Sequence, residues 1–142
     1  MTTQIPSASP PRERRPRISL FCFRAVAVLT ALLAIGQPIS IGSYFDGTFA
    51  ALGFHSAGAA FLELVAFVMV IAAGAVVAMR GRWWFLWSSV AVFLLVYLQA
   101  ILGYTRVLQV HVPVGVLTVG VVVAVAVAAL RRGAGTPREV RR

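Results

Sequence analysis

The sequence predicts an all-α integral membrane protein, an antiparallel four-helix bundle running up-down-up-down with both termini in the cytoplasm. Three observations predict it. Four apolar runs are each long enough to cross a hydrocarbon core of about 30 Å at about 1.5 Å per residue. The 142 residues are 60% hydrophobic, with a mean hydropathy of +0.90, so too little polar sequence remains to coat a water-soluble domain. The arginines, finally, gather in alternate connections.

The segments follow in order. Residues 1–17, rich in Pro, Ser, Thr and Arg, have nothing to bury and are expected to form a disordered basic tail beside the membrane. Span one is expected over 18–41, too long for a signal-peptide core, with Gly36-Gln37-Pro38 loosening its last turn because proline has no N–H to donate. The connection at 42–53 is aromatic at Tyr44, Phe45 and Phe49, which suits a membrane interface. Span two, 54–79, carries Glu63 and ends on Arg80-Gly81-Arg82. Span three, 83–102, opens with Trp83, Trp84 and Trp87 as an interfacial belt, and span four, 107–130, ends in small residues suited to close helix approach. A basic tail, 131–142, follows.

All 13 basic residues are arginine. Twelve fall in the tails, at the start of span one, or in the turn after span two, and only Arg106 falls on the other side. Retention of basic loops in the cytoplasm explains this distribution without a nucleic-acid partner, and sets the 42–53 and 103–106 connections outside. Arg24 is expected to snorkel to the inner interface. The single cysteine, Cys22, forms no intrachain disulfide.

Polar side chains inside so apolar a bundle carry the functional signal. Counted from the cytoplasmic arginines along ideal helices, Glu63 and Gln99 lie at about 25 Å, Gln37 and His111 at about 30 Å, and His55 at about 37 Å. Each helix thus brings polar groups toward one layer near the outer face, with His55 about 7 Å above His111. Two histidines on different helices can ligate one metal centre, and heme iron suits both imidazole and an apolar surrounding. Gly58 and Ala59 follow His55, and Gly115 follows His111, by one helical turn, leaving room beside an axial ligand. Arg106 can pair with a propionate. Each histidine equally fits an interfacial or packing role. Glu63 can orient His111 or stand as a structural polar group, and Gln37 and Gln99 can bond between helices or line a pocket. A glutamine ending spans one and three, then a histidine opening spans two and four, forms a faint internal echo.

No phosphate-binding loop, dinucleotide fingerprint, Cys-x-x-Cys pair or zinc ligand set is present, and the serines have no neighbouring base, so nothing assigns a catalytic constellation. FHSAG at 54–58 and LQAILGYTRVLQVHVPVGVLTVG at 98–120 resemble the short four-helix bacterial membrane proteins of unknown function. The pattern Q-x-x-L-G, then a histidine with a small residue one turn on, is similar to one half of heme A synthase. The resemblance covers about residues 25–130 and implies His55 and His111 as axial ligands of a b-type heme. It departs from that family at 63–66, where Glu-Leu-Val-Ala stands in place of glutamate-x-x-arginine, so the family's oxidation chemistry is not implied. The expectation is a heme b protein for electron transfer or heme handling, its site between spans two and four near the outer face. A quinone or a larger membrane redox protein would be its partner. The alternative is a cofactor-free membrane subunit or small transporter working through Glu63.

Overall fold

The computed structural model describes residues 17–135; the two arginine-rich tails lie outside the described residues. Four helices, and no strand, make up the described residues: α1 (Arg17–Phe45), α2 (Ala51–Ala78), α3 (Trp84–Tyr104) and α4 (Leu108–Leu130). All four are long and apolar enough to cross a membrane. Connections of three to five residues join them, so chain neighbours run antiparallel. Helix α1 packs on α2 and α4, and α3 on the same two, while the backbones of the diagonal pairs stay apart. One end of the bundle carries Arg80, Arg82 and Arg131, the other Arg106; they are called here the arginine end and the histidine end.

Helix boundaries differ from expectation chiefly in the first hairpin. Helix α1 continues seven residues beyond Pro38, because a proline removes a single donor and the hydroxyls of Ser40 and Ser43 stay within the helix, donating to the carbonyls of Gln37 and Ile39. The chain turns only at Asp46 and Gly47, the latter at φ +94°. Helices α2 and α3 each close with a Schellman motif. Gly81 N–H donates to the Val76 carbonyl and Arg80 N–H to that of Val77; Val107 and Arg106 repeat the pattern on Leu102 and Gly103. Each motif needs a left-handed residue, and here arginine fills it at φ +64° (Arg80) and +58° (Arg106).

The interior is smaller and more polar than the exterior. Ala27, Ala31 and Ala34 on α1, and Ala66 and Ala73 on α2, let backbones approach closely, and the buried hydroxyls of Thr30, Ser89 and Thr118 each donate to the carbonyl four residues back. Leu32, Leu64, Trp87, Val116 and Leu130 point outward and are exposed. Only hydrocarbon suits such a surface.

Packing is graded along the bundle axis. At the arginine end Phe23 of α1 meets Phe85 of α3 across one diagonal, edge to face at 4.9 Å between ring centres, both fully buried. Met69, Val76, Val92 and Val122 fill the space around them. The buried core reaches only to Ala34, Leu62, Val96 and Thr118; in the outer third Ala51 alone is fully buried among the described residues. Phe23→Ala is therefore expected to lower unfolding free energy in detergent by about 3 kcal/mol or more, and Phe21→Ala, 72% exposed, by less than about 0.5 kcal/mol. Denaturant unfolding of the two variants checks this, and equal losses would contradict the packing.

Candidate functional site

The outer third, with few fully buried side chains, is where the polar layer assembles. His55 lies five residues into α2 and His111 four residues into α4, so both stand near the histidine end on diagonal helices. Their ring centres are 6.3 Å apart, with the planes inclined at 77°. A height difference of about 7 Å exceeds that whole separation, so the counted heights overstate the offset. The baselines explain only part of this: Arg80 lies one residue further beyond its helix than Arg131, about 1.5 Å, and α2 has 28 residues against 23 in α4, so equal counts along the two helices do not mark equal heights.

Both rings are held in the same way. His55 Nδ1 lies 3.2 Å from the Gln37 main-chain carbonyl and 3.2 Å from Ser40 Oγ; His111 Nδ1 lies 3.1 Å from the Gln99 carbonyl. A carbonyl oxygen only accepts, so each Nδ1 carries the proton and donates it. In the neutral ring Nε2 is then the lone-pair nitrogen, and no hydrogen bond reaches either Nε2 among the described residues. The acceptor that orients His111 is thus a main-chain carbonyl. The expected alternative, Glu63, lies two helical turns beyond His55, half-buried, and makes no hydrogen bond or ion pair among the described residues.

The two glutamines complete the match. Gln99 Nε2 donates to the His111 carbonyl at 3.1 Å, and its Oε1 would lie 3.4 Å from a methyl placed on Gly115. The Gln37 amide lies over Gly58, where an added methyl would come within 2.6 Å of Nε2. The glycines one turn past each histidine are therefore covered by glutamine amides, not by open space as expected; only the flexible end of a side chain occupies each position. Gln37 Oε1 is buried without a hydrogen-bond partner, an arrangement that costs about 1–3 kcal/mol. The faint sequence echo is thus a repeated geometry. Gln37–His55 and Gln99–His111 are 18 and 12 residues apart, yet make the same Nδ1–carbonyl bond, because the first hairpin has longer arms.

Arg106 is exposed in the α3–α4 turn at the same end, five residues before His111, and Ala59 is half-buried beside Gly58. Two contributors were missed in the sequence. Ser40 contacts His55 Nδ1, and Gly103 lies against the His111 ring, where an added methyl would sit 3.2 Å from Cε1. The signal for both was helical spacing, since Ser40 is three residues after Gln37 and Gly103 four after Gln99. No group of three or more metal-ligating side chains occurs among the described residues; the histidines form a pair. No protein-family model, curated protein or solved structure matches the chain.

The geometry fixes a tautomer that can be read directly. Nitrogen-15 spectra of the ligand-free protein should show protonated Nδ1 and unprotonated Nε2 for both neutral imidazoles. The opposite tautomer at either ring would contradict the carbonyl bonds.

Proposed function

We propose that the chain is a multi-pass cell-membrane protein, with both termini cytoplasmic, that binds one b-type heme through Nε2 of His55 and His111. The observation that carries this reading is the imidazole pair itself: two rings on separate helices, each with Nδ1 committed to a carbonyl, with their centres 6.3 Å apart. A metal bonded to two imidazole nitrogens at about 2 Å each sets the ring centres roughly 6 Å apart. An N–H donated to a backbone carbonyl is also the common way of orienting a ligating histidine and raising its basicity.

Neutral imidazole is a suitable axial donor for heme iron. Fully buried side chains are few in the outer third, whereas the inner two-thirds hold the packed core. Gln37 and Gln99 cover Gly58 and Gly115 only with the ends of flexible side chains. The imidazole pair is a donor set that fits the group. Arg106, at the exposed rim, would hold a propionate by charge-assisted bonds, with Gly58, Ala59 and Gly115 the small residues beside the ligands. Bound heme supplies one-electron redox chemistry. The chain's own contribution is to hold both imidazoles in one tautomer between apolar helices. Electron transfer or heme handling, with a quinone or larger membrane redox partner, is the role these parts support.

A second reading rests on Glu63, a half-buried carboxyl on an apolar helix with no partner among the described residues, which suits a cofactor-free transporter moving a proton or cation. Purified protein separates the two. Heme binding predicts a Soret band, with heme content falling at least tenfold in His55→Ala and in His111→Ala; unchanged content in both would end the assignment. A colourless preparation whose ion flux is lost in Glu63→Gln would establish the second reading. Arg106→Gly gives an independent check, because glycine relieves the left-handed backbone at φ +58° by about 1 kcal/mol. That variant should unfold at the same or higher temperature while losing heme more readily, and Arg106→Lys should retain it better. Equal retention in Arg106→Gly would remove Arg106 from the site.

A further inference from the structure

At the opposite end of the bundle a single arginine is built into the membrane-spanning part of α1. Arg24 is the eighth residue of that helix and half-buried. Its Nε donates to the Ala129 carbonyl at 2.8 Å, so it satisfies one of the end carbonyls that α4 cannot satisfy itself and sets a cation at that helix's negative pole. Instead of only snorkelling, the side chain fastens α1 to α4. Its terminal Nη groups carry four further N–H donors.

Among the described residues no carboxylate lies near those donors. The acidic side chains among the described residues are Asp46, in the turn at the histidine end, and Glu63, midway along α2. Arg131 and Arg132 follow α4 directly and are both exposed, so this corner concentrates positive charge. A guanidinium at membrane depth is costly without a counter-ion, and among the described residues Arg24 has none.

An apolar groove of about 400 Å³ opens beside it, lined by Phe21, Arg24, Ala25, Val28 and Leu130. Phe21, Ala25 and Val28 are spaced by four and three residues, so they form one stripe along α1, parallel to the path an acyl chain takes in a bilayer. Cation and stripe together match an amphiphile whose negative group sits at the helix ends and whose tail runs inward.

We propose that this groove is a binding site for one anionic phospholipid, its phosphate on the Arg24 guanidinium with Arg131 and Arg132 flanking it, and one acyl chain along Phe21, Ala25 and Val28. A free phosphate would use the same donors but gain nothing from the apolar stripe, so the lipid is the occupant the groove selects. The site is independent of the histidine pair and binds whether or not heme does.

Native mass spectrometry of the full chain, delipidated and then titrated with phosphatidylglycerol or phosphatidylcholine, tests it. One phosphatidylglycerol should be retained at least tenfold more tightly than phosphatidylcholine. Arg24→Gln should lose that preference, and Ala25→Trp, which fills the groove from an exposed position, should lose retention with Arg24 intact. Arg82→Gln, in the α2–α3 turn, should behave as the unaltered chain. Should Arg24→Gln fail to fold, the lipid comparison and Ala25→Trp decide alone. Equal retention of the two lipids, undiminished phosphatidylglycerol binding in Ala25→Trp, or equal binding of inorganic phosphate in competition would overturn the proposal.

Discussion

One hydrogen bond, made twice, organises the outer half of this protein: an imidazole Nδ1–H donated across a helix hairpin to the main-chain carbonyl of a glutamine. In hydrocarbon such a bond has no competition from water, and an unmade one has no substitute. It fixes three things together. The proton is placed on Nδ1, the ring is turned so that Nε2 is the uncommitted nitrogen, and the second helix of each hairpin is held in register with the first. Ser40 at one site and the Gln99 amide at the other reinforce the same arrangement with different groups.

The bundle divides its labour along its length. Across the α1/α3 diagonal Phe23 and Phe85 close the arginine end, and across the α2/α4 diagonal His55 and His111 close the other. The first pair sits in a fully buried core; the second sits where burial is incomplete and a buried glutamine oxygen lacks a donor. Rigid packing below and unsatisfied polarity above is the distribution expected of a scaffold that carries a site at one end, since optimised packing and polar function compete for the same interior volume. The two left-handed arginines belong to this division as well. Each ends a helix where glycine would be easier, one at each face of the bundle.

Helix number and type were legible because hydropathy sustained over twenty or more residues leaves no other spanning structure. The helix ends were less so. Pro38 and the serines around it read as a boundary, yet a proline costs a helix one bond, and the chain had no reason to turn before Gly47. The histidines were legible as a pair, but their relative height was not, because it was counted along ideal upright helices, and α2 and α4 differ in length, 28 residues against 23. Most hidden was the part played by the glutamines. Sequence advertises their side chains, whereas the groups that orient the imidazoles are their backbone carbonyls, which every residue has. Gly58 and Gly115 were read as open room and are instead covered by those same side chains.

The central proposal is that both uncommitted nitrogens would hold one heme iron. Carbon monoxide tests that most directly. The reduced, purified protein should show the sharp bands of a six-coordinate low-spin heme, unchanged when carbon monoxide is added. A spectrum that shifts promptly on the gas to that of a carbonyl adduct would mean that one histidine is not a ligand and would contradict the account.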